Sequence, residues 1–459
     1  MNLELLKKNG YKIKSNWQDL TLKSIYFINT SEDNRFIYYQ KKAIKKKCKY
    51  ILCSKKFNHL AISKTINYFQ YSSEKELIGI SHKFYPINQL KIIFVTGTDG
   101  KTSIAYGCHK LMNLNKFNSC YIGTVGFFVN AKKIKSLNNT TPHYLEILDM
   151  LDFSIKQKVK YAFIEASSIG FCEGRLGNIS YDYLVLTNLK SDHLDYHKTI
   201  QNYHNSKIKL IKKHAKATSK ILIQDSRLTK KVNSISKNII FQESFIKDNK
   251  INLINKDPIT YQIIYNKLEF SFTAFSDFVY MNILSNLILF KLITNKIPKT
   301  INNKILPPGR SEIYRLNNNS FIVIDYAHTP DAFKNLLGNL SKFSFHKIII
   351  FGCGGDRDKY KRSLMASIAS KHTDLQIITD DNPRSEDPSR IRNTLMKHSK
   401  NGINIGSRSK AIKFGIKLLN QRSGILIIAG KGHEQTQIYK NKINKFNDLD
   451  TVKKYAQNI

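Results

Sequence analysis

Lys91-Ile92-Ile93-Phe94-Val95-Thr96-Gly97-Thr98-Asp99-Gly100-Lys101-Thr102-Ser103 joins a short β-branched run to a glycine turn and then to a helical segment. A continuous apolar run of this kind reads as a strand buried on both faces. The glycines let backbone amides curl around phosphate oxygens at a positive helix end, and Lys101 adds a point charge. Thr102 offers a hydroxyl to Mg2+. Val95 stands where the general phosphate-loop pattern has its first Gly, so this loop is a shortened variant. Outward from it the same rhythm recurs. Strands are expected at 161–165, 183–187 and 221–224, with helical periodicity at 144–156 and 203–213. A polar stretch, 233–267, interrupts the pattern. After Pro307-Pro308-Gly309 the rhythm restarts with apolar runs at 321–325, 347–351, 375–379 and 425–429.

Strands alternating with helices predict an α/β fold with mostly parallel sheets. Three domains are expected: a small N-terminal α/β domain (1–89), a central P-loop-type domain (90–307) and a C-terminal Rossmann-like domain (308–459). The N-terminal part has apolar runs at 25–29 and 50–53. Its cluster Lys41, Lys42, Lys45, Lys46, Lys47 and Lys49 reads as one solvated helical face.

The chain has 459 residues and a formal net charge of +40. Only 12 of its 74 basic residues are Arg, the side chain suited to forked recognition of bases and phosphates. The charge therefore reads as a lysine-rich solvated surface, and nucleic acid is not expected as a partner. Six cysteines without a Cys-x-x-Cys pair read as reduced, mostly buried thiols of a cytoplasmic protein. The N-terminus lacks a signal-peptide run. The most apolar segment, 281–297, is broken by Asn282, Asn286, Lys291 and Asn295, so no membrane insertion is expected.

Polar clusters follow the other apolar runs, in the crevice where open α/β sheets bind ligands. They are Asn138-Asn139-Thr140-Thr141-Pro142, Glu165-Ala166-Ser167-Ser168, and Thr187-Asn188-Leu189-Lys190-Ser191-Asp192-His193-Leu194-Asp195-Tyr196-His197 with Lys207 ten residues on. In the C-terminal part come Gly309-Arg310-Ser311-Glu312, Asp325-Tyr326-Ala327-His328-Thr329-Pro330 and Gly352-Cys353-Gly354-Gly355-Asp356-Arg357-Asp358. Asp381-Asn382-Pro383-Arg384 and Gly430-Lys431-Gly432-His433-Glu434 complete the set. Glu165 and His193 are a plausible pair of Mg2+ ligands, directly or through water. Asp387-Pro388 reads as a helix N-cap followed by Pro at the first helical position. That leaves 381–386 as a strand-to-helix loop whose Arg384 can fork onto a carboxylate.

This ordered set, from about Lys91 to Tyr439, resembles the Mur ligase family, which builds the peptide stem of peptidoglycan. The last three clusters resemble its diaminopimelate-adding branch. The resemblance implies a monomeric, ATP- and Mg2+-dependent ligase acting on UDP-MurNAc-L-Ala-D-Glu and meso-2,6-diaminopimelate. It implies that Gly97, Thr98, Asp99, Gly100, Lys101, Thr102, Ser103, Asn282, Arg310 and Asp325 meet ATP. Thr102, Glu165 and His193 would hold the metal, and Lys101, Glu165, His193 and Lys207 would serve catalysis. Lys207 matches the family's carbamylated lysine; only a neutral amine adds CO2, and burial favours that form. Asn139, Thr140, Thr141, Ser167 and Arg175 match positions for the UDP-sugar peptide. Arg357, Asp381, Asn382, Pro383, Arg384, Gly430 and Glu434 match those for diaminopimelate.

The chain departs from the family pattern in several places. Asn16-Trp17-Gln18 stands at the uridine-binding Asp-Ser-Arg, and Asp99 replaces a usual Asn. Ile169, Glu173 and Val279 occupy places often held by His, Gln and Asn. Alternatives are an L-lysine-adding or folylpolyglutamate-type ligase and, from another class, a basic P-loop NTPase acting on nucleic acid. The Asp-Asn-Pro-Arg loop argues against the first two.

Overall fold

The computed structural model describes residues 3–15, 17–61, 63–228, 238–256 and 259–456. Asn16 and 233–237 of the polar stretch lie outside them. The architecture is α/β in three domains, with one principal sheet in each. The N-terminal sheet is parallel throughout, in the order Lys12–Lys14, Ser24–Phe27, Tyr50–Ser54, Asn67–Tyr71.

The central sheet has eight strands. Their order is Ile239–Phe241, Ala215–Ile223, Tyr181–Leu186, Lys91–Thr96, Tyr161–Glu165, Ser119–Gly123, Gly126–Val129 and Lys132–Lys135. The first six run parallel, and the last two are added antiparallel at the edge. Lys91–Thr96 lies in the middle, between Tyr181–Leu186 and Tyr161–Glu165. Its residues Ile93, Phe94 and Val95 are fully buried. That placement follows from a run with no polar face to offer to water.

The C-terminal sheet has six strands, in the order Glu312–Arg315, Phe321–Asp325, Gly424–Ala429, His346–Phe351, Leu375–Ile378 and Gly402–Asn404. All are parallel except the first. The carboxyl ends of Phe321–Asp325, His346–Phe351 and Gly424–Ala429 open onto the clusters at 325–330, 352–358 and 430–434.

Two expectations need correction. The helix Asp33–Lys45 ends before Lys46, so the lysine cluster is split between its last turn and the following turn, where Lys47 takes a positive φ of 54°. The stretch 233–267 is no mere interruption. Its described part holds Ile239–Phe241, the helix Gln242–Asp248 and the strands Asn252–Asn255 and Thr260–Tyr265; with Leu268–Thr273 the last two form a three-stranded antiparallel sheet. The helix Asp277–Thr294 is long and apolar enough to cross a membrane, but 11 of its 18 residues are buried in the central core, which makes it a core helix.

Candidate active site

The phosphate loop leaves Lys91–Thr96 and enters the helix Lys101–Leu114 through Gly100, whose φ of 84° suits only glycine without strain. Gly97 is also at positive φ (144°), and a methyl there would overlap the Thr187 hydroxyl. The Lys101 ammonium folds back onto the loop, donating to the carbonyls of Gly97 (2.9 Å) and Thr98 (2.7 Å). Burial holds it below the usual lysine range.

The loop forms one wall of a cleft of about 240 Å3 between the central and C-terminal domains. Thr98 through Ser103, Thr140, Glu165, Ser167, His193 and Lys207 line one side, and Arg310 and Asp325 line the other. The Glu165 carboxylate accepts from the Thr102 hydroxyl at 3.0 Å, the Thr124 amide at 3.0 Å, the Thr124 hydroxyl at 3.1 Å and the Tyr121 hydroxyl. Thr102 and Glu165 thus present adjacent hard oxygen donors, the chemistry Mg2+ requires. His193 shares the cleft, but its exposed ring turns to Asp192, with Nε2 3.4 Å from that carboxylate.

Lys207 is buried, 1% exposed, on the inner face of the helix Ile200–His214. Among the described residues its ammonium position has no carboxylate partner and lies 4.2 Å from the Tyr203 ring centroid. Burial, reinforced by the charge of Lys101, pushes its pKa well below the ordinary lysine value. A shift in that direction favours the neutral amine that CO2 addition needs. On the facing wall, Arg310 stacks 4.3 Å over Tyr326 and keeps a buried Nε without a partner among the described residues. Asp325 accepts from the Ser311 amide (2.7 Å), the Ser311 hydroxyl (2.9 Å) and the Ala327 amide (2.7 Å).

Asn282 sits behind the loop rather than in the cleft. It is fully buried, its Oδ1 accepts from Gln224 at 3.0 Å and lies under Gly100, and its Nδ2 has no partner among the described residues. Beyond Glu165, Thr141 ties three sequence-selected positions together. Its hydroxyl donates to the Glu165 carbonyl (2.7 Å) and meets Ser167, while its carbonyl accepts from Arg175 at 3.2 Å. Arg175 also pairs with Glu173. Thr140 lines the cleft and Asn139 is exposed.

A second cluster forms at the C-terminal sheet. Lys431, 0% exposed, donates to Glu434 (2.7 Å) and Asn382 (3.1 Å), and Asn382 donates to Glu434 at 2.8 Å. Gly430 sits at a φ of 113°, and a methyl there would crowd the Asp381 carboxylate. Arg384 donates to the Gly355 carbonyl at 2.7 Å and has no salt bridge among the described residues. Pro383 is buried beside it, and its carbonyl accepts from the Glu386 amide. Asp387 caps the helix Pro388–Met396 by accepting from Ser389 at 2.8 Å. Arg357 is exposed at the loop tip. Within the C-terminal domain, the segment at Gly309 and the loop after Gly424–Ala429 meet at backbone level, because methyls at Gly309 (φ 65°) or Gly432 (φ 49°) would overlap the other's backbone.

Tyr121, Thr124 and Tyr203 belong to the site but were not singled out from sequence, and Asp192 stood there only as a member of its cluster, with no role given to it. Tyr121 carries no motif signal, since it reaches Glu165 across sheet neighbours.

The Mur ligase middle-domain model matches residues 95–289, and the Mur ligase glutamate-ligase-domain model matches 309–432. A UDP-N-acetylmuramoyl-L-alanyl-D-glutamate–2,6-diaminopimelate ligase of Alkaliphilus oremlandii is 30% identical, over 96% of this chain and 95% of that protein. The chain belongs to the Mur ligase family. A solved structure of a UDP-N-acetylmuramoyl-L-alanyl-D-glutamate–2,6-diaminopimelate ligase, 25% identical, superposes with a TM-score of 0.60 and covers 98% of this chain and 95% of that one. A MurF ligase of Thermotoga maritima in complex with ADP shares the fold at a TM-score of 0.67 and 16% identity, with 100% and 99% covered. The Mur ligase assignment accounts for a cleft walled by two domains, with a phosphate loop on one side and a cationic stack on the other.

Proposed function

We propose that this Mur ligase adds meso-2,6-diaminopimelate to UDP-N-acetylmuramoyl-L-alanyl-D-glutamate, at the expense of ATP, in peptidoglycan precursor synthesis. The observation that carries the reading is that Lys101, Lys207 and Arg310 line one cleft while the Arg384 guanidinium, with no salt bridge among the described residues, lies in the amino-acid loop. The γ-phosphoryl group passes from ATP to the D-glutamate γ-carboxylate, giving an acyl phosphate and ADP. The diaminopimelate amine attacks that carbonyl, and phosphate leaves from the tetrahedral adduct as the amine loses its proton.

Phosphoryl transfer of this kind rests on positioning and charge neutralisation. Lys101 and the loop amides hold the phosphates from below, and Arg310, preoriented by Tyr326, meets them from the facing domain. Thr102 and Glu165 would hold Mg2+, with His193 near enough to join through water; the ion supplies charge neutralisation. Lys207 as a carbamate adds an anion to that donor set. Thr140, Thr141, Ser167 and Arg175 serve the peptide end of the UDP-sugar. Asn382, Glu434 and Arg384 serve diaminopimelate, with Arg357 at the mouth. We assign these tasks to domains 1–89, 90–307 and 308–459 of a cytoplasmic monomer. Phosphate release tests the reading: it is expected only with ATP, the UDP-dipeptide and meso-diaminopimelate together. Turnover that survives omission of either acceptor overturns it.

A further inference from the structure

The residues after Tyr181–Leu186 grip the phosphate loop. Asp99 is held at its carbonyl by the Thr187 hydroxyl (2.6 Å) and Asn188 Nδ2 (3.2 Å), and at its amide by Asn188 Oδ1 (3.1 Å). The Lys190 amide donates to the Thr98 hydroxyl at 3.0 Å. The backbone clasp therefore fixes where both residues sit without help from their charges.

Their side chains then form an ion pair. Lys190 Nζ lies 2.9 Å from Asp99 Oδ2, with the two side chains 26% and 24% exposed. The same ammonium lies 5.6 Å from the ring centroid of Phe278, which lines the cleft beside Asp99. A carboxylate is an adverse group on a loop whose task is to attract phosphate oxygens, because like charges at short range repel strongly where water is partly excluded. A lysine that pairs with it, as Lys190 does at 2.9 Å, offsets that repulsion.

We propose that Lys190 is a positioning residue for nucleotide binding: it neutralises Asp99, so the two act as one charge-compensated unit of the phosphate loop. The proposal rests on reading residues 97–103 as the nucleotide loop. It makes Lys190 dispensable once Asp99 is uncharged, which no packing role would.

The test is a double-mutant cycle read by the KM for ATP and by calorimetric binding of ATP to the full chain. Lys190→Met is expected to raise KM about tenfold, the size of one partly screened charge contact, with little change in kcat. Lys190→Arg should keep the parent KM to within about twofold, since the charge survives. Asp99→Asn combined with Lys190→Met should return KM to within about twofold of the parent. The Lys190→Met defect should shrink as salt rises from about 0.05 M to about 0.5 M, because the pair is partly exposed. An unchanged KM in Lys190→Met overturns the proposal, and so does a double variant as poor as the single. Lys101→Ala separates the two levels. If it binds ATP like the parent, the loop assignment itself falls; if it loses ATP while Lys190→Met does not, charge compensation alone falls.

Discussion

Removing the Arg384 guanidinium should collapse the preference for diaminopimelate over L-lysine while leaving the fold in place. The side chain is half-buried at a φ of 53°, and Nη1 donates to the Gly355 carbonyl at 2.7 Å with only a marginal 3.4 Å contact to the Asn382 carbonyl. It has no carboxylate partner among the described residues, so a carboxylate-bearing ligand meets a donor whose charge is not already satisfied. Truncating one member of a buried charged pair costs about 2–5 kcal/mol. Half-burial places Arg384 at the lower end, about 2–3 kcal/mol, or about 30- to 150-fold in affinity. L-Lysine lacks the distal carboxylate and has no such bond to lose. The ratio of kcat/KM for meso-diaminopimelate to that for L-lysine should therefore fall by about 30- to 150-fold in Arg384→Ala. The fold loses one charge-assisted bond to a loop carbonyl, about 1.5–3 kcal/mol at most, which thermal unfolding of both proteins would register. An unchanged ratio in a folded variant would refute the reasoning and return Arg384 to a purely loop-bracing role.

Lys207→Met should lose about 10- to 100-fold in activity, as expected for a group that orients a metal site, with partial rescue by small carboxylates. Its stability should change in the opposite sense. In CO2-depleted buffer the buried Lys207 amine has a folded pKa below its unfolded value, so the parent gains stability as pH rises from the folded pKa toward the ordinary lysine value of 10.5. Lys207→Met should flatten that rise and unfold at a higher temperature near pH 7; identical pH dependence in both proteins would contradict this. Gly97→Ala should cost about 2–5 kcal/mol from overlap with Thr187 and an adverse φ. Thr187→Ala in the same chain should recover part of it in chemical denaturation, and additive losses would count against the overlap. Lys431→Met should raise the KM for diaminopimelate by about tenfold through misplacement of Asn382 and Glu434, measured with ATP saturating; a parental KM would dismiss it.

The strands that built the central and C-terminal sheets were legible because parallel strands covered on both faces leave continuous apolar runs, as in Tyr161–Glu165 and Phe321–Asp325. The edges were not. Lys132–Lys135 has one apolar residue and is largely exposed, so nothing in its composition marks a strand. In the three-stranded sheet Tyr261, Ile263 and Tyr265 share one buried face, but Ile264 between the last two breaks the apolar–polar alternation, and the Asn and Lys around the run mask the rest. In the site, the strand-end clusters stood out because polar residues there interrupt apolar runs. Lys207 was readable only by resemblance among 62 lysines. Its helix nonetheless places it on the buried stripe Tyr203, Lys207, Leu210 and His214, a spacing of four, three and four that marks an inward face. The Tyr121 and Thr124 cradle of Glu165 is a tertiary pairing that no local pattern encodes.

The close approach of Gly309 to Gly432 couples two loops that chemistry keeps separate. Gly309 precedes Arg310 on the chain leaving the central domain, and Gly432 precedes His433 and Glu434 in the loop after Gly424–Ala429. With two backbones pressed together and no side chain between them to yield, the spacing of the two loops is set by main chain alone. Arg310 and Glu434, one and two residues from that contact, are thereby held to a common gauge, and one methyl at either glycine would throw it off.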